Sequence, residues 1–106
     1  MPTVYITVPR EATEDVIEEL LEERLVACIN RLPIESTYRW EGEIHHDEET
    51  LLLAKTTEEA YEDVLECVQE VHPHDVPCIE RFDEDHVLEA YAEWVDSAVG
   101  EGPTNK

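Results

Sequence analysis

Residues Leu51 to Ala54 read Leu-Leu-Leu-Ala, with Lys55-Thr56 closing the run. A strand with one wet face alternates apolar and polar residues, so a short unbroken apolar run bounded by a helix-start signal predicts a strand buried on both faces. A chain of 106 residues must then cover its sheet on two sides, and the rest of the sequence decides whether it can do so alone.

The other segments supply few covering elements. "TVYITV" alternates Val4, Ile6 and Val8 with Tyr5 and Thr7, a strand ended by Pro9. Thr13 is a candidate helix cap, and Val16, Ile17, Leu20, Leu21 and Leu25 follow helical spacing behind it, opposite a wet face of glutamates. Val26 to Trp40 reads as a long strand interrupted near Pro33, which marks an edge or a bulge. Glu41-Gly42 has the look of a hairpin turn, a partner strand begins near Ile44, and "HHDEET" (His45 to Thr50) either joins it or extends the connection. Thr56 with Glu59 fits a capping box, with Thr57 as the alternative cap, before a stripe of Ala60, Tyr61, Val64, Leu65, Val68 and Val71. His72-Pro73 stops that helix. Val76 to Phe82 is a short strand, and Asp83 to Asp85 open a last helix with Val87, Leu88, Tyr91, Trp94, Val95 and Val99 as its core face.

The order is β-α-β-β-α-β plus a terminal helix. That predicts an α+β, ferredoxin-like βαββαβ sandwich with an extra C-terminal helix. Residues 1–99 form one domain and 100–106 a flexible tail. Two helices cover one sheet face and leave the other for a second copy of the chain, so an obligate oligomer is expected.

Charge excludes several partner classes. There are 28 Asp and Glu against 7 Lys and Arg, for a net charge of −21. Nucleic acid and anionic membranes are excluded, because phosphate binding needs cations. Self-repulsion on this scale falls away when molar salt shortens the Debye length to about 3 Å, which points to a salt-adapted chain. No stretch approaches the ~20 apolar residues of a membrane span. Three cysteines without a Cys-x-x-Cys pattern indicate reduced thiols and a cytoplasmic setting.

The stretch "HPHDVPC" (His72 to Cys78) gathers two His, one Asp and one Cys, the side chains that most often hold metals. It also reads as a helix stop, a turn and a strand start set by its two prolines. Neighbouring side chains diverge, so His72, with ligands from elsewhere in the assembly, is the better candidate than all four at once. His45-His46-Asp47 reads as a polar surface. Lys55 is the one Lys before the C-terminal residue. It is expected either to pair with an acid such as Glu41 or Glu80, or to bind an anion in a cleft between subunits that Tyr38, Trp40 and Glu41 help to wall. No Gly-rich phosphate loop and no nucleophile-base pattern is present, so no enzyme is expected.

"LVACIN" (Leu25 to Asn30), "YRWEGEI" (Tyr38 to Ile44), "LLAKTT" (Leu52 to Thr57), "HPHDVP" (His72 to Pro77) and "YAEWV" (Tyr91 to Val95) together resemble the CutA family of divalent cation tolerance proteins. The resemblance spans about residues 3 to 97. It implies a ferredoxin-like fold assembled as a homotrimer, long hairpins reaching over neighbouring subunits, a cytosolic role in metal tolerance, and copper or another divalent cation as cargo. It implies no required cofactor and no catalytic reaction. The sequence departs from the family pattern at His74, where Tyr is usual, and at Cys78, where Glu is usual. Ile6 stands where some bacterial relatives have Cys. His72 and Cys78 are the candidate metal ligands, of a softness suited to copper or zinc. A trimeric regulatory or scaffolding module, taking a small ligand or partner at clefts lined by Tyr38, Trp40, Glu41 and Lys55, is the alternative.

Overall fold

A computed structural model of the chain describes residues 1–100. Apart from Gly100, the expected tail lies outside the described residues. Strand β1 (Pro2–Pro9) leads through a single 3-10 turn into helix α1 (Thr13–Glu22); β2 (Cys28–Trp40), β3 (Glu43–Lys55), α2 (Tyr61–Val71), β4 (Cys78–Asp83) and α3 (Glu89–Ala98) follow. The four strands form one antiparallel sheet in the order β2-β3-β1-β4. This is the α+β, split βαβ arrangement expected from the element order.

One face of the sheet makes the core. Val4, Ile6 and Val8 of β1 and Leu52 and Ala54 of β3 are buried against Val16 and Leu20 of α1 and Val64, Cys67 and Val68 of α2. The other face carries the opposite parity of the same strands. In the single chain Leu51 and Leu53 are only half-buried there, and Leu32, Phe82 and Trp40 stand about half exposed. The apolar run is thus covered on one face by its own helices. Two-sided burial is not completed within one chain.

Several local expectations change. Thr13 does not cap α1. It is the first helical residue, and its hydroxyl lies 2.8 Å from that of Thr50 in β3, which pins the helix start to the sheet. Pro33 does not interrupt β2, because β2 is an edge strand, where a missing N–H is tolerated. "HHDEET" is strand, not connection: His45, His46 and Asp47 pair with Tyr38, Thr37 and Ser36. Thr56 is no cap for α2 either. Fully buried, it donates to the Leu25 carbonyl at 2.6 Å, while Thr57 Oγ1 accepts the Ala60 N–H at 3.2 Å. The last helix starts six residues later than expected, leaving Leu88 70% exposed ahead of it, and Trp94 lies outward while Val95 and Val99 make the contact.

The hairpin turn is as read. Glu41 (φ 51) and Gly42 (φ 81) both take left-handed backbone, the two-residue turn that matches strand twist. At the other end of the molecule Arg24 (φ 58) ends α1, and its carbonyl accepts the Gly100 N–H at 2.7 Å.

Candidate functional site

Paired residues in an antiparallel sheet point to the same side. The open face therefore carries Ser36, Tyr38 and Trp40 on β2, Glu49 on β3, Tyr5 and Thr7 on β1, and Cys78 and Glu80 on β4. The loop after α2 adds His74, Asp75 and Val76. Together they line a groove of about 610 Å³. A smaller cavity of about 330 Å³, on the α1 side, is lined by Arg10, Thr13, Glu14, Arg31 and Thr50 among others.

His72 and Cys78 meet at one residue, Thr7. Cys78 is its register partner, and the His72 Nε2–H donates to its carbonyl at 2.8 Å. The second His72 nitrogen, Nδ1, accepts the backbone N–H of His74 at 3.1 Å. Both ring nitrogens are thereby used, and the neutral tautomer with hydrogen on Nε2 is selected. Burial, the largest influence, holds the His72 pKa below its ordinary value; the bond to Thr7 opposes it and the nearby His74 adds to it. In this arrangement His72 offers no lone pair to a metal. It locks the end of α2 to β1.

Cys78 is exposed, with Sγ 3.8 Å from Glu80 Oε2. Partial burial and then the Glu80 charge raise its pKa. Soft sulfur, His74 imidazole and three carboxylates (Glu49, Asp75, Glu80) share the groove, a donor set suited to a borderline divalent cation. Among the described residues no three His, Cys, Asp or Glu side chains converge closely enough to hold an ion. A tight metal site on this face would need donors from a second chain.

The expected cleft residues divide. Tyr38 and Trp40 line the groove, but Glu41 and Lys55 do not. Glu41 occupies the hairpin turn. Lys55 lies at the opposite end of β3, about 40 Å away at ~3.3 Å per strand residue, so the two cannot pair within one chain. Lys55 is half-buried opposite Thr3 and Cys28 and makes no ion pair among the described residues, with Glu80 or any other acid.

Sequence reasoning missed Glu49. It is only 7% exposed, its Oε1 accepts the Ser36 hydroxyl at 2.6 Å, and its backbone carbonyl accepts Arg10 Nε at 3.2 Å. It shares its side of the sheet with Leu51 and Leu53, and that parity was the available signal. Tyr38 stacks on His45, with centroids 5.6 Å apart, and its hydroxyl donates to Asp47. That bond, with the Asp47 and Glu49 charges, raises the phenol pKa.

Comparison with known proteins gives a consistent answer over nearly the whole chain. The family model described as CutA1 divalent ion tolerance protein matches residues 2–98. The divalent-cation tolerance protein CutA of Pyrococcus horikoshii is 44% identical over 96 residues, covering 90% of this chain and 94% of that protein. The crystal structure of CutA1 from the same organism superposes with a TM-score of 0.90 at 40% identity, over 95% of this chain and all of that one. The Archaeoglobus fulgidus structure, described as a periplasmic divalent cation tolerance protein, gives 0.89 at 34% identity, over 94% of this chain and 100% of the other. A Nostoc structure described as a PII-like protein CutA gives 0.86 at 30% identity, over 90% of this chain and 93% of that one.

Proposed function

The chain belongs to the CutA1 divalent ion tolerance family, and from that premise we propose that it acts as a non-enzymatic homotrimer that binds divalent copper or zinc and supports metal tolerance. The observation that carries this reading is the position of Cys78. Of the three cysteines it alone is exposed, and it lies on the unfinished sheet face beside Glu80 and in one groove with His74. An assembly that packs these faces together brings in the further donors that one chain lacks and covers Leu51, Leu53 and Leu32. His72 contributes by fixing the loop that carries His74. It becomes a ligand itself only if the His74 N–H releases Nδ1. The metal is cargo, and no required cofactor is part of this reading.

Calorimetric titration with copper and zinc, on wild type, Cys78→Ser and His72→Ala, tests the site. Sub-micromolar binding lost in Cys78→Ser supports it. Binding that is micromolar or weaker and indifferent to both changes overturns it, because 28 carboxylates gather divalent ions diffusely. Sedimentation of wild type against Leu53→Arg tests the trimer, which the charge on the open face should dissociate.

A second reading is favoured by the groove itself. Its volume of about 610 Å³ and its Tyr5, Tyr38 and Trp40 walls are those of a small-ligand site, which suits a regulatory module. The free thiols favour a reducing, cytoplasmic setting. No helix among the described residues is long and apolar enough to cross a membrane.

A further inference from the structure

Side chains alternate along a strand, so Glu49, Leu51, Leu53 and Lys55 of β3 stand in a row on the open face of the sheet. The row has an acid at one end, a base at the other and two leucines between them. A second copy that covers Leu51 and Leu53 takes water away from both charged groups as well. A charge buried in that way is costly unless it is paired.

Neither group is paired within one chain. Glu49 is only 7% exposed, the most buried carboxylate among the described residues. Its Oε1 accepts the Ser36 hydroxyl at 2.6 Å, and its Oε2 has no hydrogen-bond donor among the described residues. Lys55 is half-buried and makes no ion pair there either. Among the strand residues of this face Lys55 is the only Lys or Arg. The other acids of the strands, Glu43, Asp47 and Glu80, are less buried than Glu49. Glu49 and Lys55 are about 20 Å apart along β3 at ~3.3 Å per strand residue, beyond reach of each other in one copy.

We infer that the open face is a head-to-tail interface in which Glu49 of one copy pairs with Lys55 of the next. Each copy offers one such acid and one such base, so a heterologous contact that closes into a ring satisfies every pair. The row is charge-complementary to a second copy of itself, with the leucines supplying the apolar contact between the two ends. The inference rests on the homotrimer reading and names the charges that set its register. It leaves Cys78, His74 and Glu80 to the metal.

The test reads the dissociation constant of the full chain by sedimentation on serial dilution, with a chelator present and ionic strength fixed. Glu49→Gln, which keeps an acceptor for Ser36, and Lys55→Met should each weaken assembly at least ten-fold, and the double variant should be about as weak as either alone. The sign for Glu49→Gln is diagnostic. General repulsion between copies of charge −21 predicts tighter assembly when a carboxylate is removed, and Glu22→Gln, on the exposed face of α1, should show that small tightening or no change. The reversals Glu49→Lys and Lys55→Glu should each dissociate the assembly, and a chain carrying both should recover it. That recovery reads the pair even where one reversal alone perturbs the fold. Reversals that assemble like wild type, additive losses in the double variant, or a doubly reversed chain that stays dissociated overturn the inference and leave the homotrimer standing. A wild type that sediments as a monomer overturns the homotrimer reading, and the inference with it.

Discussion

The imidazole of His72 bridges Thr7 and His74, donating from Nε2 to a strand carbonyl and accepting at Nδ1 from a loop amide. Removing it takes away the part-buried bond to the Thr7 carbonyl, so His72→Ala should cost about 1 kcal/mol for that bond alone, measured by denaturant unfolding.

That bridge has a pH signature. The folded-state pKa of His72 is held below the ordinary 6.5, chiefly by burial. The unfolded chain therefore binds a proton that the folded chain refuses. The contribution to stability is complete above about pH 6.5 and is lost as pH falls through the lowered folded value. Thermal unfolding between pH 5 and 7.5, in molar salt to mute overall repulsion, should show a steeper decline for wild type than for His72→Gln.

Arg10 should be irreplaceable by Lys. Its guanidinium reaches the Ile34 carbonyl at 3.1 Å, the Glu49 carbonyl at 3.2 Å and the Glu48 carboxylate at 3.1 Å, clamping the point where the β2–β3 pair leaves the body of the sheet. An ammonium cannot span three such acceptors with fixed geometry. Amide exchange in Arg10→Lys should accelerate from residue 35 to residue 48 and stay unchanged in β1.

Glu41 adopts φ 51 in the hairpin turn, where a side chain with a Cβ is strained and Asn is favoured. Glu41→Asn should raise stability by about 0.5–1 kcal/mol, read as a shift in the denaturant midpoint without a change in slope.

Cys67 should be the last thiol to react. Burial between the helices and the sheet, then Glu19, Glu70 and Glu23, pushes its pKa up to about 11. Alkylation at pH 8, followed by mass spectrometry of peptides, should find Cys67 unmodified until the chain unfolds. Early labelling of Cys67 in the native protein would contradict the packing described.

Stability should rise with salt. A net charge of −21 repels itself in the folded state, while the ion pairs that salt weakens, such as Arg81 with Glu58 and Asp83, are exposed carboxylate contacts worth less than the repulsion relieved. The melting temperature should increase steadily from 50 mM to 2 M KCl.

The sheet and its two covering helices were legible because apolar parity is a local property: Val4, Ile6 and Val8 announce their face without knowledge of any neighbour. Cap positions were not, because Thr13 and Thr56 spend their hydroxyls on Thr50 and on the Leu25 carbonyl, partners 37 and 31 positions away. The site was legible in part. Tyr38, Trp40 and Cys78 fall together, but Lys55 is separated from Glu41 by the length of β3, whose stretch from His45 to Thr50 reads in sequence as either strand or connection. Glu49 was hidden among 28 acids. Only the register that seats it beside Ser36, facing the groove, distinguishes it from the others.

Strands β2 and β3 each run 13 residues, against 8 in β1 and 6 in β4. From Glu48 outward β3 has β2 as its only strand neighbour among the described residues. A lone two-stranded ribbon is marginal in water, so this cantilever takes its order from whatever lies against it. Dilution should loosen it before the body of the fold yields. In the proposed homotrimer each copy would then carry a gauge of protein concentration, with Trp40, near the ribbon's tip, as the reporter.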